Sequence, residues 1–586
     1  DSPGTLVQFA TDATGLHMEL PMMAVFPEDT SEVQGIVRLA NALGFYIVPR
    51  GGGTGLTGGA IPGLQKSIIV SLSRMKAIQD VDTHNRLLKT QTGVITLDAI
   101  KAAREHNLLF TVDPASKAAS SIGGNVSENA GGPLAFEYGT TIDNIASYTM
   151  VLPQGEVITV VRRDHPRHKI YPWDTAIFDV YAENGNLLQT IELNGEAVRA
   201  PGLGKDVTNK YLGGLPGIQK EGVDGIITEV TFILHPRLTY SQTLCLEFFG
   251  SSMHFAAQVI KDLVSLRDTI RERSQSVSMT ALEEFGSQYI RAIQYAKKSK
   301  LYEGEPISVL LVQLDSNNRS HLEEVLWAVF DITERYPEVD VLEARDEQEA
   351  EAFWEDRHQL SAISKRTSGF KINEDIVIPL DQIPTFSDFL EGLNLEYLAK
   401  KYAQALMQAD QLLQLDMQDE FLAMELEVCR GIEKHHLQDT IVSEQEFKLQ
   451  IHFFLQDLRS RYPEYDEALK SLEADLFETR LEIANHMHAG DGNCHVNIPV
   501  HATNRDMFDQ AEEAVEKVFT KVLELGGQIS GEHGIGITKI SYLSDKKIEA
   551  LREYKKSVDP NNVINPGKLM HKDTEVAPFS ISWDRL

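Results

Sequence analysis

Cysteine is scarce: Cys245, Cys429 and Cys494 are the only three in the chain, and no C-x-x-C spacing occurs. That excludes a disulfide framework and a four-cysteine iron–sulfur cluster held by this chain alone, and it suggests a reducing, cytoplasmic setting. Positive charge is also in deficit. With Lys+Arg 55 against Asp+Glu 86, the formal net charge is -31. Nucleic acid and anionic membrane surfaces would both repel such a chain. No apolar run reaches the roughly 18 residues of a bilayer span, so the chain reads as soluble and would sit at a membrane only through a partner. It begins at Asp1 with no basic-then-apolar leader, so either a removed start or a fragment is expected. At 586 residues and 42% hydrophobic, there is material for about two to four domains.

What is abundant locally is glycine. Pro49-Arg50-Gly51-Gly52-Gly53-Thr54-Gly55-Leu56-Thr57-Gly58-Gly59 follows the apolar run 44–48. Glycine lets backbone amides approach an anion without a Cβ in the way, and phosphate is the expected guest. Gly53-x-Gly55-x-x-Gly58 satisfies the dinucleotide fingerprint literally. That fingerprint needs a helix to start inside it, whereas Ala60-Ile61-Pro62-Gly63 cannot continue one, and no Lys-Ser/Thr follows for a P-loop. A second small-residue stretch shows neither helical nor strand periodicity: Pro114-Ala115-Ser116, Ser121-Ile122-Gly123-Gly124-Asn125, Asn129-Ala130-Gly131-Gly132 and Tyr138-Gly139. Two separated backbone-donor loops suit an extended ligand with a pyrophosphate at its middle.

With these two loops the chain resembles the FAD-binding domain of the vanillyl-alcohol oxidase and p-cresol methylhydroxylase flavoproteins. The resemblance implies FAD contacts from Pro49, Arg50, Gly51, Gly52, Gly53, Thr54 and Gly55 in the first loop. From the second it implies Pro114, Ser116, Ser121, Gly123, Gly124, Asn125, Asn129, Gly131, Gly132, Tyr138 and Gly139. Further on, Glu221, Gly222, Gly225, Ile226 and Ile227 would lie along the adenine side. Members that bind FAD covalently through the first loop carry a His near the place of Thr54, so non-covalent FAD is implied here.

The remaining elements point to an α+β chain. Thr30-Ser31 should cap a helix carrying Val33, Ile36, Val37, Ala40 and Leu43, closed by Gly44. Residues 67–72 predict a strand, and 147–161 a hairpin around Pro153-Gln154-Gly155. Asn184-Gly185 and Asn194-Gly195 predict a small β-meander inserted at about 162–204. The expected organisation is an FAD-binding domain over 1–236 and a substrate and metal domain over 237–500, built as an antiparallel sheet covered by helices. A helical insert is expected at about 393–485. A C-terminal helical segment, 501–586, would return to the FAD site.

The chemistry-bearing stretch is Asn485-His486-Met487-His488-Ala489-Gly490-Asp491-Gly492-Asn493-Cys494-His495-Val496-Asn497. Gly-Asp-Gly-Asn is turn chemistry between alternating residues, so a hairpin would bring His488 beside His495 and Asn497. Glu532 in Ser530-Gly531-Glu532-His533-Gly534-Ile535-Gly536 offers a third ligand. Two histidines and a carboxylate with open positions suit catalytic zinc, manganese or iron.

Both segments, with Asn565-Pro566-Gly567-Lys568-Leu569, resemble the FAD-linked D-2-hydroxy-acid dehydrogenases: the D-lactate dehydrogenase, glycolate oxidase flavin subunit and D-2-hydroxyglutarate dehydrogenase type. The resemblance implies His488, His495 and Glu532 as metal ligands, His533 as the base, Arg357 as the grip on the substrate carboxylate, and Asn565 and Lys568 at the FAD site. Lys371, Asn373 and Asn497 are further candidates for touching substrate. The expected reaction takes a 2-hydroxy acid, D-lactate first and then D-2-hydroxyglutarate or glycolate, to its 2-oxo acid. The electron acceptor would be separate: an iron–sulfur protein, an electron-transfer flavoprotein or a quinone. A homodimer or a place in a larger complex is compatible with this. A divalent-metal hydrolase and a non-catalytic electron-relay subunit are the competing readings; the first leaves both glycine loops unexplained and lacks a His-Glu-x-x-His helix.

Overall fold

The computed structural model describes residues 3–570 except 17–18, 251, 274–275, 360–362, 364–366, 368–369, 416–417 and 435–442. The last part of the expected C-terminal segment, 571–586, therefore lies outside the described residues.

The N-terminal part has two sheets. Ala24–Val25, Ser67–Ser71 and Tyr46–Arg50 form a parallel three-stranded sheet, with helix Thr30–Leu43 packed on it through Val33, Val37 and Ala40. The cap of that helix is Asp29, one residue before the expected Thr30-Ser31. Its carboxylate accepts from Glu32 N, and Gly44 closes the helix at φ 72.

The second sheet has seven antiparallel strands in the order Leu187–Asn194, Thr175–Ala182, Val157–Arg163, Ile145–Val151, Ile226–Ile233, Leu87–Gln91 and Ile78–Asp82. The β-meander expected at about 162–204 takes the form of a hairpin, Thr175–Ala182 with Leu187–Asn194, added to this sheet. Thr175–Ala182 pairs with the open edge of Val157–Arg163, from Ile158↔Ala182 to Arg163↔Ile177, so the segment widens an existing sheet. Asn184-Gly185 makes its hairpin turn, but Asn194 caps the short helix Gly195–Val198 by accepting from Glu196 N.

From Tyr240 a second seven-stranded sheet begins, again wholly antiparallel, ordered Val339–Glu343, Tyr240–Phe248, Ser308–Ser316, Val277–Gly286, Ala484–His488, Asn493–Pro499 and Lys371–Val377. Helices His254–Glu272, Arg319–Thr333 and Arg505–Glu524 bury their apolar stripes in the largest core cluster.

Strands Lys371–Val377 and Asn493–Pro499 are neighbours across a long excursion. That excursion holds helices Ile383–Leu413, Glu420–Glu433, Glu444–Arg461 and Asp466–Thr479, with a core of their own around Tyr402, Leu406, Leu422, Phe447, Leu455 and Leu476. The helices start ten residues before the expected 393 because Pro384 suits a first turn and the apolar pattern runs unbroken from there.

The chain then comes back to its beginning. Ile47 N donates to Val563 O at 2.9 Å and Asn565 N to Ile47 O at 2.7 Å. No described helix is long and apolar enough to cross a membrane.

Candidate functional site

A cavity of about 830 Å³ runs between the two sheet systems, at the upper end for small-molecule sites and suited to a long ligand. One end is walled by the glycine loops. A Cβ on Gly51 would lie 2.1 Å from Ser121 Oγ, and one on Gly52 would lie 2.1 Å from the Ala119 carbonyl oxygen. The loops thus touch each other where only hydrogen fits. Ser121 caps a short helix, Ile122–Glu128, accepting from Gly124 N at 3.3 Å. Local capping imposes helix where small residues had left no periodicity to read. Arg50 lines the cavity, and its Nη1 also donates to Thr11 O (2.8 Å) and Ala60 O (3.1 Å), bracing the loop.

Of the residues expected at the cofactor, Pro49 to Gly55, Pro114, Ser116, Ser121, Gly123, Gly124, Asn125, Gly131, Glu221, Gly222, Gly225, Ile226 and Ile227 face this cavity. Six do not, and each braces the wall from behind. Asn129, at φ 61, links Gln219 and Ile142 N. Gly132 leaves room for the Asp113 carbonyl, and Gly139, at φ 79, ends a helical turn beside Asp143. Tyr138 packs on His235 with ring centroids 4.5 Å apart. Asn565 Nδ2 donates to Gly59 O (2.8 Å) and Glu221 O (3.1 Å). Lys568 is buried, which pushes its ammonium pKa down to about 8.

The other end is built from side chains. The hairpin forms with His486↔His495 in register. His488 Nε2 and His495 Nε2 lie 3.4 and 3.5 Å from the same oxygen, Glu532 Oε1. All three ligand atoms lie within 4.8 Å of one another. An ion with bonds of about 2.1 Å separates its ligand atoms by roughly 3.0–3.4 Å, so these residues fit a divalent metal with little movement.

Neighbours orient His488 and Glu532. His488 Nδ1 donates to Glu283 Oε1 at 2.6 Å, which leaves Nε2 for the metal position. Lys205 Nζ donates to Glu532 Oε2 at 2.9 Å and keeps Oε1 towards the imidazoles. Burial works against charge on His488, yet the Glu283 carboxylate wins and raises its pKa to about 9. Burial and the adjacent His533 hold His495 well below the ordinary imidazole value. Burial also lowers His533, against the pull of Asp375 and Glu532.

Asp375 explains how Glu532 and His533 are placed. Its Oδ2 accepts from Ser530 Oγ (2.8 Å) and from the backbone N–H groups of Gly531 (2.8 Å), Glu532 (2.9 Å) and His533 (2.9 Å). Three successive amides folded around one carboxylate oxygen fix the loop. Burial alone would raise this carboxyl; its facing neighbours, the His533 imidazole and the Lys539 ammonium, outweigh that and hold the group well below its ordinary range. Glu221 ties the same loop to the cofactor wall by accepting from Ile535 N (2.7 Å) and Gly536 N (2.8 Å).

Arg357, on helix Glu347–His358, reaches the cavity with its Nε and Nη2 on Glu283 Oε2 at 3.0 and 2.8 Å. Lys371 and Asn373 also face the cavity. Asn497 does not: it is fully buried, with Nδ2 on the His495 carbonyl at 3.3 Å. Sequence reasoning missed Glu283, Asp375 and the contact of Lys205. For Asp375 the signal was its place in Asn373-Glu374-Asp375; the adjacent Glu283 and Glu284 in Val277–Gly286 offered none.

The FAD binding domain family matches residues 21–161, and the C-terminal domain of FAD linked oxidases matches 253–399 and 452–569. The unmatched gap falls within the four helices. Glycolate oxidase subunit GlcD of Bacillus subtilis is 26% identical over 581 residues, covering 98% of this chain and 94% of that protein. D-lactate dehydrogenase of Anaerostipes hadrus is 25% identical, covering 94% and 90%. D-2-hydroxyglutarate dehydrogenase of Stutzerimonas stutzeri is 24% identical, covering 96% and 94%. Among solved structures, p-cresol methylhydroxylase with substrate bound superposes with a TM-score of 0.59 over 97% of this chain and 93% of that one, at 13% identity, a likeness of fold. The chain belongs to the family of FAD-linked oxidoreductases in which an FAD binding domain of the p-cresol methylhydroxylase type precedes the FAD linked oxidase C-terminal domain.

Proposed function

We propose that the chain oxidises a small D-2-hydroxy acid to the 2-oxo acid, with non-covalent FAD and a divalent ion, zinc, manganese or iron, and that electrons leave to a separate acceptor. The observation that carries this reading is the presence of His488, His495, Glu532 and His533 in the same cavity as both glycine loops. When bound, FAD supplies a two-electron acceptor for the hydride from C2, and the ion supplies a Lewis acid for the hydroxyl.

The chain's own residues do the rest. Arg357 leaves Nη1 for the substrate carboxylate, since Nε and Nη2 are on Glu283. His533 Nδ1 is buried without a hydrogen-bond partner among the described residues, and burial favours its neutral form, so that nitrogen is available to take the hydroxyl proton. Glu283 and Lys205 hold His488 and Glu532 in the orientation that keeps one oxygen and two nitrogens convergent. Relatives named for glycolate, D-lactate and D-2-hydroxyglutarate share the 2-hydroxy-acid group, which supports the substrate class. A relative named as a subunit supports a protein partner as the acceptor. Three buried free cysteines suit a cytoplasmic setting.

Purified protein should be yellow and should bleach anaerobically on addition of D-lactate, D-2-hydroxyglutarate or glycolate. Persistence of the flavin absorption with every 2-hydroxy acid tried would overturn the proposal.

A further inference from the structure

Lys169 lies in the loop between strands Val157–Arg163 and Thr175–Ala182, and its ammonium is buried against the hairpin that carries the two imidazoles. Nζ donates to Asp491 Oδ1 at 3.1 Å and to the Ala135 carbonyl at 3.4 Å. Asp491 closes the short helical turn Ala489–Asp491, between His488 and His495. Its other oxygen, Oδ2, is 3.8 Å from Lys205 Nζ, and Lys205 in turn donates to Glu532 Oε2 at 2.9 Å. Cation and anion therefore alternate from Lys169 through Asp491 and Lys205 to Glu532. The first three are almost wholly shielded from water, and the Glu532 side chain is only 10% exposed.

Two carboxylates need two cations where water is excluded, because a buried charge left unpaired is far more costly than a paired one. Burial would raise the Asp491 carboxyl; Lys169 and Lys205 together hold it down at about 2, so it carries a full charge at neutral pH. Arg267 adds to the field at Asp491, but its own hydrogen bonds go to the Phe136 carbonyl and Asp268. Without Lys169, Lys205 would be the one ammonium in ion-pair reach of both Asp491 and Glu532 among the described residues. Any shift of its Nζ towards Asp491 lengthens the bond that keeps Glu532 Oε1 towards the imidazoles.

The backbone beside Lys169 is fixed in turn. Ile170 N donates to Asp143 Oδ1 at 2.8 Å, Arg199 Nη1 donates to the Ile170 carbonyl at 2.6 Å, and Arg199 pairs with Asp143. At the other end of the same segment, Gly204 N donates to Asp491 O at 3.2 Å, and a Cβ on Gly204 would lie 2.5 Å from Asp491 Cα. Residues 162–204 thus hold the hairpin turn from both of their ends.

We propose that Lys169 is a positioning residue for the metal ligands: it neutralises Asp491 and leaves Lys205 free to orient Glu532, so that affinity for the ion depends on the segment 162–204. The inference rests on His488, His495 and Glu532 holding a divalent ion. Lys169 itself touches neither ion nor substrate, and no proton or electron moves at it.

The test is chelator competition with zinc, manganese and, anaerobically, ferrous iron on the FAD-loaded full chain, with the flavin spectrum and thermal melts recorded alongside. Lys169→Met should weaken binding of the ion by about 10–100-fold, the range for residues that orient a ligand from behind, with FAD content unchanged. Lys169→Arg should restore most of that loss. The decisive comparison adds Asp491→Asn to Lys169→Met: with the Asp491 charge gone, Lys205 is no longer contested, and the double variant should bind the ion more tightly than Lys169→Met alone. A purely structural role for Lys169 predicts the reverse, since the second substitution further weakens the turn. Equal or weaker binding by the double variant therefore overturns the proposal, as does an unchanged affinity in Lys169→Met. Should Lys169→Met fail to retain FAD, the double variant decides: affinity near that of the wild type supports the proposal, and its loss overturns it. A wild type that binds none of the three ions overturns the ion site itself, and the proposal with it.

Discussion

The two ends of the cavity are built from different materials. Around Gly51–Gly55 and Ser121–Gly124 the wall is backbone, and the loops meet at distances that admit no Cβ. Around His488, His495 and Glu532 the wall is side chains, and His488 and Glu532 are each held by a second side chain from a distant part of the chain. A backbone wall fails when anything is added to it, and a side-chain wall fails when something is taken away. The first end should therefore govern whether cofactor stays, and the second whether chemistry proceeds.

The sharpest way to break this contrast is His533→Ala, which should cut the rate of flavin reduction by about 10²–10⁴-fold while the yellow spectrum and FAD content stay unchanged. Loss of FAD together with activity would show that the two ends are one unit. The complementary substitution is Gly52→Ala. Its Cβ would meet a backbone oxygen that cannot swing away, so we expect FAD to be lost on gel filtration and stability to fall by about 1–3 kcal/mol, read from thermal melts.

Glu283→Gln sharpens the side-chain end. It removes the charge that His488 Nδ1 faces, and metal affinity should fall by about 10–100-fold, measured by chelator competition with the flavin spectrum as the internal control. An unchanged affinity would mean that His488 is oriented by packing alone. The smallest effect concerns pH. The Lys371 ammonium, lowered to about 8, is charged below that value and neutral above it. With Lys371 on the cavity wall, the kcat/KM for a 2-hydroxy acid should decline as pH rises through about 8, and Lys371→Met should lack that limb.

Much of this was legible in the residues. A run such as Gly51-Gly52-Gly53 states a backbone requirement at its own position, and Gly490-Asp491-Gly492 states a turn, so the loops and the histidine hairpin could be placed without coordinates. A helical block was readable from its periodicity at about 393–485, and its helices run from Ile383 to Thr479. Residues 162–204 misled because Asn194-Gly195 signals a hairpin turn and a helix cap equally well; the open edge of Val157–Arg163 chose between them.

By itself, then, the chain's order of residues determined its local conformations and the kinds of chemical group on offer: glycine cradles, paired imidazoles, a carboxylate, a deficit of cysteine. Only the tertiary structure decided which distant charges meet. Lys205 with Glu532, Glu283 with both His488 and Arg357, and Asp375 with three amides of the 531–533 loop all depend on strand register and loop docking across long separations. A Lys or Glu reads the same in sequence whether water or a buried partner awaits it, and the free energy of the group depends on that difference.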